Sequence, residues 1–150
     1  MPAAPASILT RARQRLSHQP GTEDVGTDPG VLVAVGVALR ARGIDATMFN
    51  ESPIPAVYRF LPGVARITRS LKSENDFDTA IVLDCGGLER VGKKADVVAT
   101  VPVVINIDHH VTNSGFGDLK IIDATACATA EIVYRLIKAL GVEIDRTMAT

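Results

Sequence analysis

From residue 30 onward the chain alternates between two kinds of apolar segment. GVLVAVGVALRARG (30–43) is apolar around its whole circumference and closes on a glycine. Strand propensity competes there, but the length and the closing Gly43 favour a buried helix with a glycine cap. ATMFN (46–50), FDTAIVLD (77–84) and VPVVINI (101–107) are shorter and predict buried strands; the last is interrupted only by Asn106. DLKIID (118–123) reads as a further extended piece. A helix then follows, with Asp123 as its cap. Cys127, Ala130, Val133, Ile137 and Leu140 recur at three-to-four spacing, Arg135 and Lys138 lie toward the negative end, and Gly141 stops it. EIDRTMAT (143–150) begins another helix-like pattern.

Strands alternating with helices predict an α/β fold: an open, mostly parallel sheet with helices on both faces. Ligands of such sheets gather at the carboxyl ends of the strands. The first 29 residues break the rhythm. MPAAPASILTRARQRLSH (1–18) has no signal-peptide apolar run, and its arginines without acids give a weak likeness to a transit peptide. A frayed leader or a short helix is the expectation. PGTEDVGTDPG (20–30) reads as a loop with no convincing strand before it, because RARQRLSH (11–18) is too basic and polar for a sheet centre. The expected organisation is therefore a divergent leader and loop over 1–29 and a domain over 30–150.

Composition narrows the function classes. The chain has 150 residues, one domain or part of one, with 16 basic and 17 acidic residues and a net charge of −1. No bulk field favours a polyanion, so any nucleic-acid contact is local. The longest uninterrupted apolar stretch, VLVAVGVAL (31–39), is about half of what a membrane-spanning helix requires, and no membrane partner is expected. Cys85 and Cys127 form neither a disulfide framework nor a zinc clip, and are read as two buried thiols in a reducing cytoplasm.

The chemistry concentrates where two buried strands end in acids, AIVLD at Asp84 and VVINID at Asp108, the latter followed by His109 and His110. Burying such groups unpaired is costly, so something must satisfy them. An acid at a strand end is commonly only a turn former. Two adjacent imidazoles after a buried acid are harder to dismiss. If the two strands are parallel neighbours, Asp84, Asp108, His109 and His110 converge on one edge, with glycines in DCGG (84–87) allowing close approach. Carboxylate and imidazole without thiolate suit Mn²⁺ or Mg²⁺ better than structural zinc, and two such ions could clamp a phosphoryl group and activate water.

IDHHVTN (107–113) resembles the signature of the DHH phosphoesterases. IPAVYRFLPG (54–63), FDTAIVLDCGGLERVG (77–92), INIDHHVTNSGFGD (105–118) and ATAEIVYRLIKALGVEID (128–145) resemble its oligoribonuclease and 3′-phosphoadenosine 5′-phosphate phosphatase branch. The resemblance implies a Mn²⁺-dependent hydrolase of short single-stranded oligonucleotides or nucleotide bisphosphates, with a homodimer left open. It implies that Asp84 bridges two metals, that His109 binds the second, and that His110 faces the substrate phosphate. Asp108 would orient its neighbours, Asn113 would join His110 at the substrate, and His18 and Asp24 would serve the first metal.

The family's first motif, His-x-x-Pro-Asp-x-Asp, is rewritten here. Counting from His18, Thr22 replaces the first acid and Asp24 stands at the second. One firmly held metal and a weak second are therefore expected. The fourth-motif acid and the substrate domain of the family would lie beyond Thr150, so this stretch alone is expected to be a poor enzyme. Two other readings stand beside the leading one. The first is a non-catalytic nucleotide-binding or interaction domain with a decayed metal site. The second is a hydrolase of pyrophosphate, polyphosphate or a cyclic dinucleotide.

Overall fold

The computed structural model describes residues 8–11, 28–71 and 77–149, with only the backbone path given for 8–11. Five strands form one parallel sheet in the order β2-β1-β3-β4-β5. They are β1 (Ile8–Arg11), β2 (Ala46–Met48), β3 (Thr79–Leu83), β4 (Val103–Asp108) and β5 (Leu119–Ile122). The helices are α1 (Pro29–Ala41), α2 (Ala95–Thr100), α3 (Thr129–Ala139) and the short α4 (Arg146–Ala149). The strand order reverses between β1 and β3, and the carboxyl ends beside such a reversal are where open parallel sheets leave a crevice.

Alternation along β3 and β4 divides the core. Ile81, Leu83 and Ile107 face one side, where α1 and α3 cover them with Val31, Leu32, Ile132 and Val133. Ala80, Val82 and Val104 face the other, against Val91 and Val98 of the 88–100 segment. Both faces of the central strands are thus dry, which is why their sequences are nearly continuous runs of apolar residues. A side chain such as the fully buried Leu83 is worth about 1.5–3 kcal/mol in water-to-core transfer. Among the described residues no helix is long and apolar enough to cross a membrane.

Helix α1 begins at Asp28, whose Oδ1 accepts the Gly30 N–H at 2.8 Å, with Pro29 in the first turn. It ends where Gly43 turns left-handed (φ 75°) and the Ile44 N–H reaches back to the Leu39 carbonyl. Gly36 lets β2 approach: a Cβ there would lie 2.5 Å from Met48 Sδ, and Met48 is 1% exposed.

Four expectations need correction. A strand, β1, does precede residues 20–30, paired with both β2 and β3; residues 20–27, expected to be loop, lie outside the described residues. At four described residues it is too short to show a period, and Arg11 is also the first residue of the basic run that argues against a strand. Asp123 does not cap α3, which starts six residues later with Ala128 at the cap position and no side-chain bond. Asp123 Oδ1 instead accepts the Thr125 N–H and hydroxyl at 3.0 and 2.6 Å, a local turn that competes with helix. The buried stripe of α3 is accordingly Thr129, Ile132, Val133 and Ile137, while Ala130 and Leu140 are exposed. Cys85 is buried as expected, but Cys127 is exposed. Helix α2 was not foreseen, since six residues span too little for a period to show.

Candidate metal centre

The register of β3 and β4 builds the site. Leu83 pairs with Ile107, so Asp84 and Asp108 come level at the carboxyl edge, and the Asp84 N–H donates to the Ile107 carbonyl at 2.9 Å. Asp84 then turns left-handed (φ 55°), alone in this among the described non-glycine residues. Aspartate tolerates that region better than most side chains. Its Oδ1 accepts the Thr129 hydroxyl at 2.7 Å, at the first turn of α3. His109 Nε2 stands 3.6 Å from the same oxygen. Ligand atoms of Asp84, His109 and His110 all lie within 4.8 Å of one another.

The two imidazoles differ in what they have left to offer. His110 Nδ1 is 2.6 Å from Oδ1 of Asp108, which is fully buried. A carboxylate there accepts a hydrogen bond from Nδ1–H, so this nitrogen has no lone pair for an ion, and Nε2 carries the free chemistry of the ring. Its 3.9 Å approach to Asp84 is therefore proximity and not a second ligation through Nδ1. Among the described residues His109 has no such carboxylate partner beside Asp84, and it offers Nε2 toward that acid. The donor set of one carboxylate and one or two imidazoles fits a hard to borderline divalent ion.

Behind the site stands Asn113. Its Nδ2 donates to Asp108 Oδ2 at 2.6 Å and to the Cys85 carbonyl at 3.2 Å. Its Oδ1 accepts from Gly115 N at 2.7 Å and from Asn106 Nδ2 at 3.1 Å. Both amide hydrogens and both lone pairs are thus engaged, which leaves nothing of this side chain for a substrate. Asn113 orients Asp108, and Asn106 orients Asn113. His18 and Asp24, with Thr22 and Glu23, lie outside the described residues.

Thr129 and Asn106 were not singled out as site residues. Asn106 did carry a signal, a polar residue inside an apolar strand. Thr129 carried none, being 45 residues from the acid it contacts. It is delivered by the β5–α3 turn, where Arg135 holds Asp123 at 2.6 Å and Glu131 accepts the Cys127 N–H at 2.9 Å. The Thr125 hydroxyl and the Arg135 guanidinium hold Asp123 well below the usual carboxylate range. The Glu131 carboxylate pushes the exposed Cys127 thiol up, away from thiolate.

A doubly wound parallel sheet carrying an Asp–His–His cluster at its carboxyl edge matches a known class. Residues 7–150 match the DHH family, N-terminal domain, and the chain belongs to that family. It is 37% identical over 116 residues to the bifunctional oligoribonuclease and PAP phosphatase NrnA of Thermus thermophilus, covering 75% of this chain and 33% of that protein. An uncharacterised protein of Mycoplasma pneumoniae is 32% identical over 111 residues, 74% of this chain and 29% of that one. An exopolyphosphatase-related protein from Bacteroides fragilis shares the fold, with a TM-score of 0.69 at 20% identity over 91% of this chain and 40% of its own. The chain spans roughly a third of the length of the curated relatives it matches.

Proposed function

We propose that this domain takes part in hydrolysing phosphoester bonds of short oligonucleotides or nucleotide 3′,5′-bisphosphates, with Mn²⁺ as its ion. The observation that carries the reading is the convergence of Asp84, His109 and His110 within 4.8 Å at the carboxyl edge of the sheet. Asp84 and His109 would hold the ion. A divalent ion so held supplies Lewis-acid polarisation of a phosphoryl oxygen and activation of water.

The chain's own residues do the rest. Asp108 fixes the His110 ring through its Nδ1–H and turns Nε2 outward; in the imidazolium form the Nε2–H would hydrogen-bond a phosphate oxygen or pass its proton to the departing one. Asn113 and the loop carrying it hold Asp108 in place, and the Ser114 N–H clasps the Gly86 carbonyl at 2.7 Å, tying the two site loops together. The similarity to NrnA supports the nucleotide substrate class.

The test is Mn²⁺-dependent behaviour of the purified chain. At about a hundred times its Kd, Mn²⁺ should raise Tm by several degrees, and Asp84→Asn should abolish that rise. Hydrolysis of a dinucleotide and of adenosine 3′,5′-bisphosphate should follow the same metal dependence. An Asp84→Asn protein with an unchanged metal-induced shift would sink the assignment. Nucleotide binding that ignores Mn²⁺, with no turnover, would instead favour a non-catalytic domain, the reading that the Thr22 substitution supports.

A further inference from the structure

The segment after Asp84, CGGLERVG (85–92), folds into tight turns whose outer side chains are oppositely charged. Val91 anchors it in the core beneath β3, and the Arg90 N–H donates to the Gly87 carbonyl at 3.0 Å. The Glu89 carboxylate folds back over Gly87, on the spot a Cβ would occupy. Half-buried Arg90 folds back over Gly86 instead. Its Nη1 lies 3.2 Å from where a Gly86 Cβ would sit, and the same point is 3.9 Å from His110 Cβ and 4.0 Å from Asn113 Cα. Arg90 Nη1 and the Cβ from which the His110 ring springs therefore both border the space that the missing Gly86 side chain leaves open.

We infer that Arg90 receives the non-bridging oxygens of the substrate phosphate, and that Gly86 is the gap admitting it. This rests on the phosphoester reading of the centre. Asp84 and Asp108 repel an incoming phosphate, and one divalent ion cannot meet every oxygen of a phosphoryl group whose charge is spread over three. A guanidinium is permanently charged, weakly hydrated and forked, which suits paired contacts to phosphate oxygens. Charge that builds on those oxygens during transfer would then meet a donor already in place. Arg90 is thus assigned contact with the substrate, His110 the proton, and the Asp84–His109 pair the ion.

The test measures inorganic phosphate binding to the whole chain by calorimetry, with and without Mn²⁺, alongside Mn²⁺ affinity and the thermal melt. Wild type should bind phosphate. Arg90→Met should weaken that at least tenfold while Mn²⁺ affinity stays within twofold, and Arg90→Lys should recover only part. Gly86→Ala, whose methyl presses on Nη1, should weaken phosphate binding several-fold with Arg90 intact, so the inference survives a poorly folded Arg90→Met. Equal phosphate affinity in wild type, Arg90→Met and Gly86→Ala overturns it, as does a wild type that binds no phosphate. Loss of Mn²⁺ binding in wild type, with phosphate still held through Arg90, would count against the metal reading and leave this one standing.

Discussion

Asp108 Oδ1 lies 2.6 Å from His110 Nδ1, and Asp108 is fully buried while the imidazole beside it is partly open. A buried carboxylate bonded to one ring nitrogen settles which nitrogen faces outward. We expect His110→Ala to reduce turnover by about 10²–10⁴-fold, the usual worth of a positioned acid or base, with Mn²⁺ retained. Asp108→Asn should reduce it too, since an amide can hold the ring in the wrong tautomer. His109→Ala should instead lose the metal. Equal metal loss in the two histidine variants would contradict this division of roles.

Thr129 donates to Asp84 Oδ1 from across the fold, and both residues are buried. Removing the hydroxyl frees the carboxylate to rotate away from His109. Thr129→Val keeps the volume and should lower Mn²⁺ affinity about 10-fold, while Thr129→Ser should retain it. Calorimetric titration of the three proteins decides it. Identical affinities would mean that the left-handed backbone of Asp84 orients the carboxylate unaided.

The Asp123–Arg135 pair braces the turn that delivers Thr129. The folded-state pKa of Asp123 is depressed, by the Thr125 hydroxyl first and then by Arg135. Its contribution is therefore fully present above the ordinary carboxylate range, near pH 4, and is lost as pH falls further. Asp123→Asn should lower Tm at pH 7, and the gap to wild type should begin to narrow as pH falls below about 4. Because Arg135 is half exposed, added salt should narrow the gap as well. A gap that is constant from pH 7 to pH 3 would show that the Asp123 charge does not stabilise the turn.

The parts of the site legible in the sequence were those carried by strand ends. Asp84 and Asp108 follow apolar runs whose parallel pairing could be anticipated, and the adjacent histidines marked the edge. What escaped was set by tertiary geometry. Asn113 reads from the sequence as a substrate residue, because nothing local shows that four partners from three segments use up its amide. Arg90 reads as one surface charge in LERVG until Gly86 is seen to make room for it. In the fold, β1 escaped because parallel pairing on both sides can hold four residues that no pattern announces.

In the reading proposed above, a first metal position would depend on His18, Thr22 and Asp24, which lie outside the described residues. With Thr22 at the first acid, that position keeps fewer anionic oxygens, and a neutral hydroxyl does not offset a divalent charge as a carboxylate does. Asp28 is the first described acid after this motif in the sequence, but its Oδ1 is already bonded to the Gly30 N–H as the α1 cap. Leaving that cap costs about 0.5–2 kcal/mol, which sets Asp28 against the role. We therefore expect titration with Mn²⁺ at neutral pH to show one clear site per chain and at most a weak second. Asp28→Asn, which caps a helix as well as aspartate does, should change neither. Two tight sites of similar affinity would show that another acid has replaced the missing ligand. If Asp28→Asn then abolished one of them, Asp28 would be that acid, and the cap would be only its metal-free position.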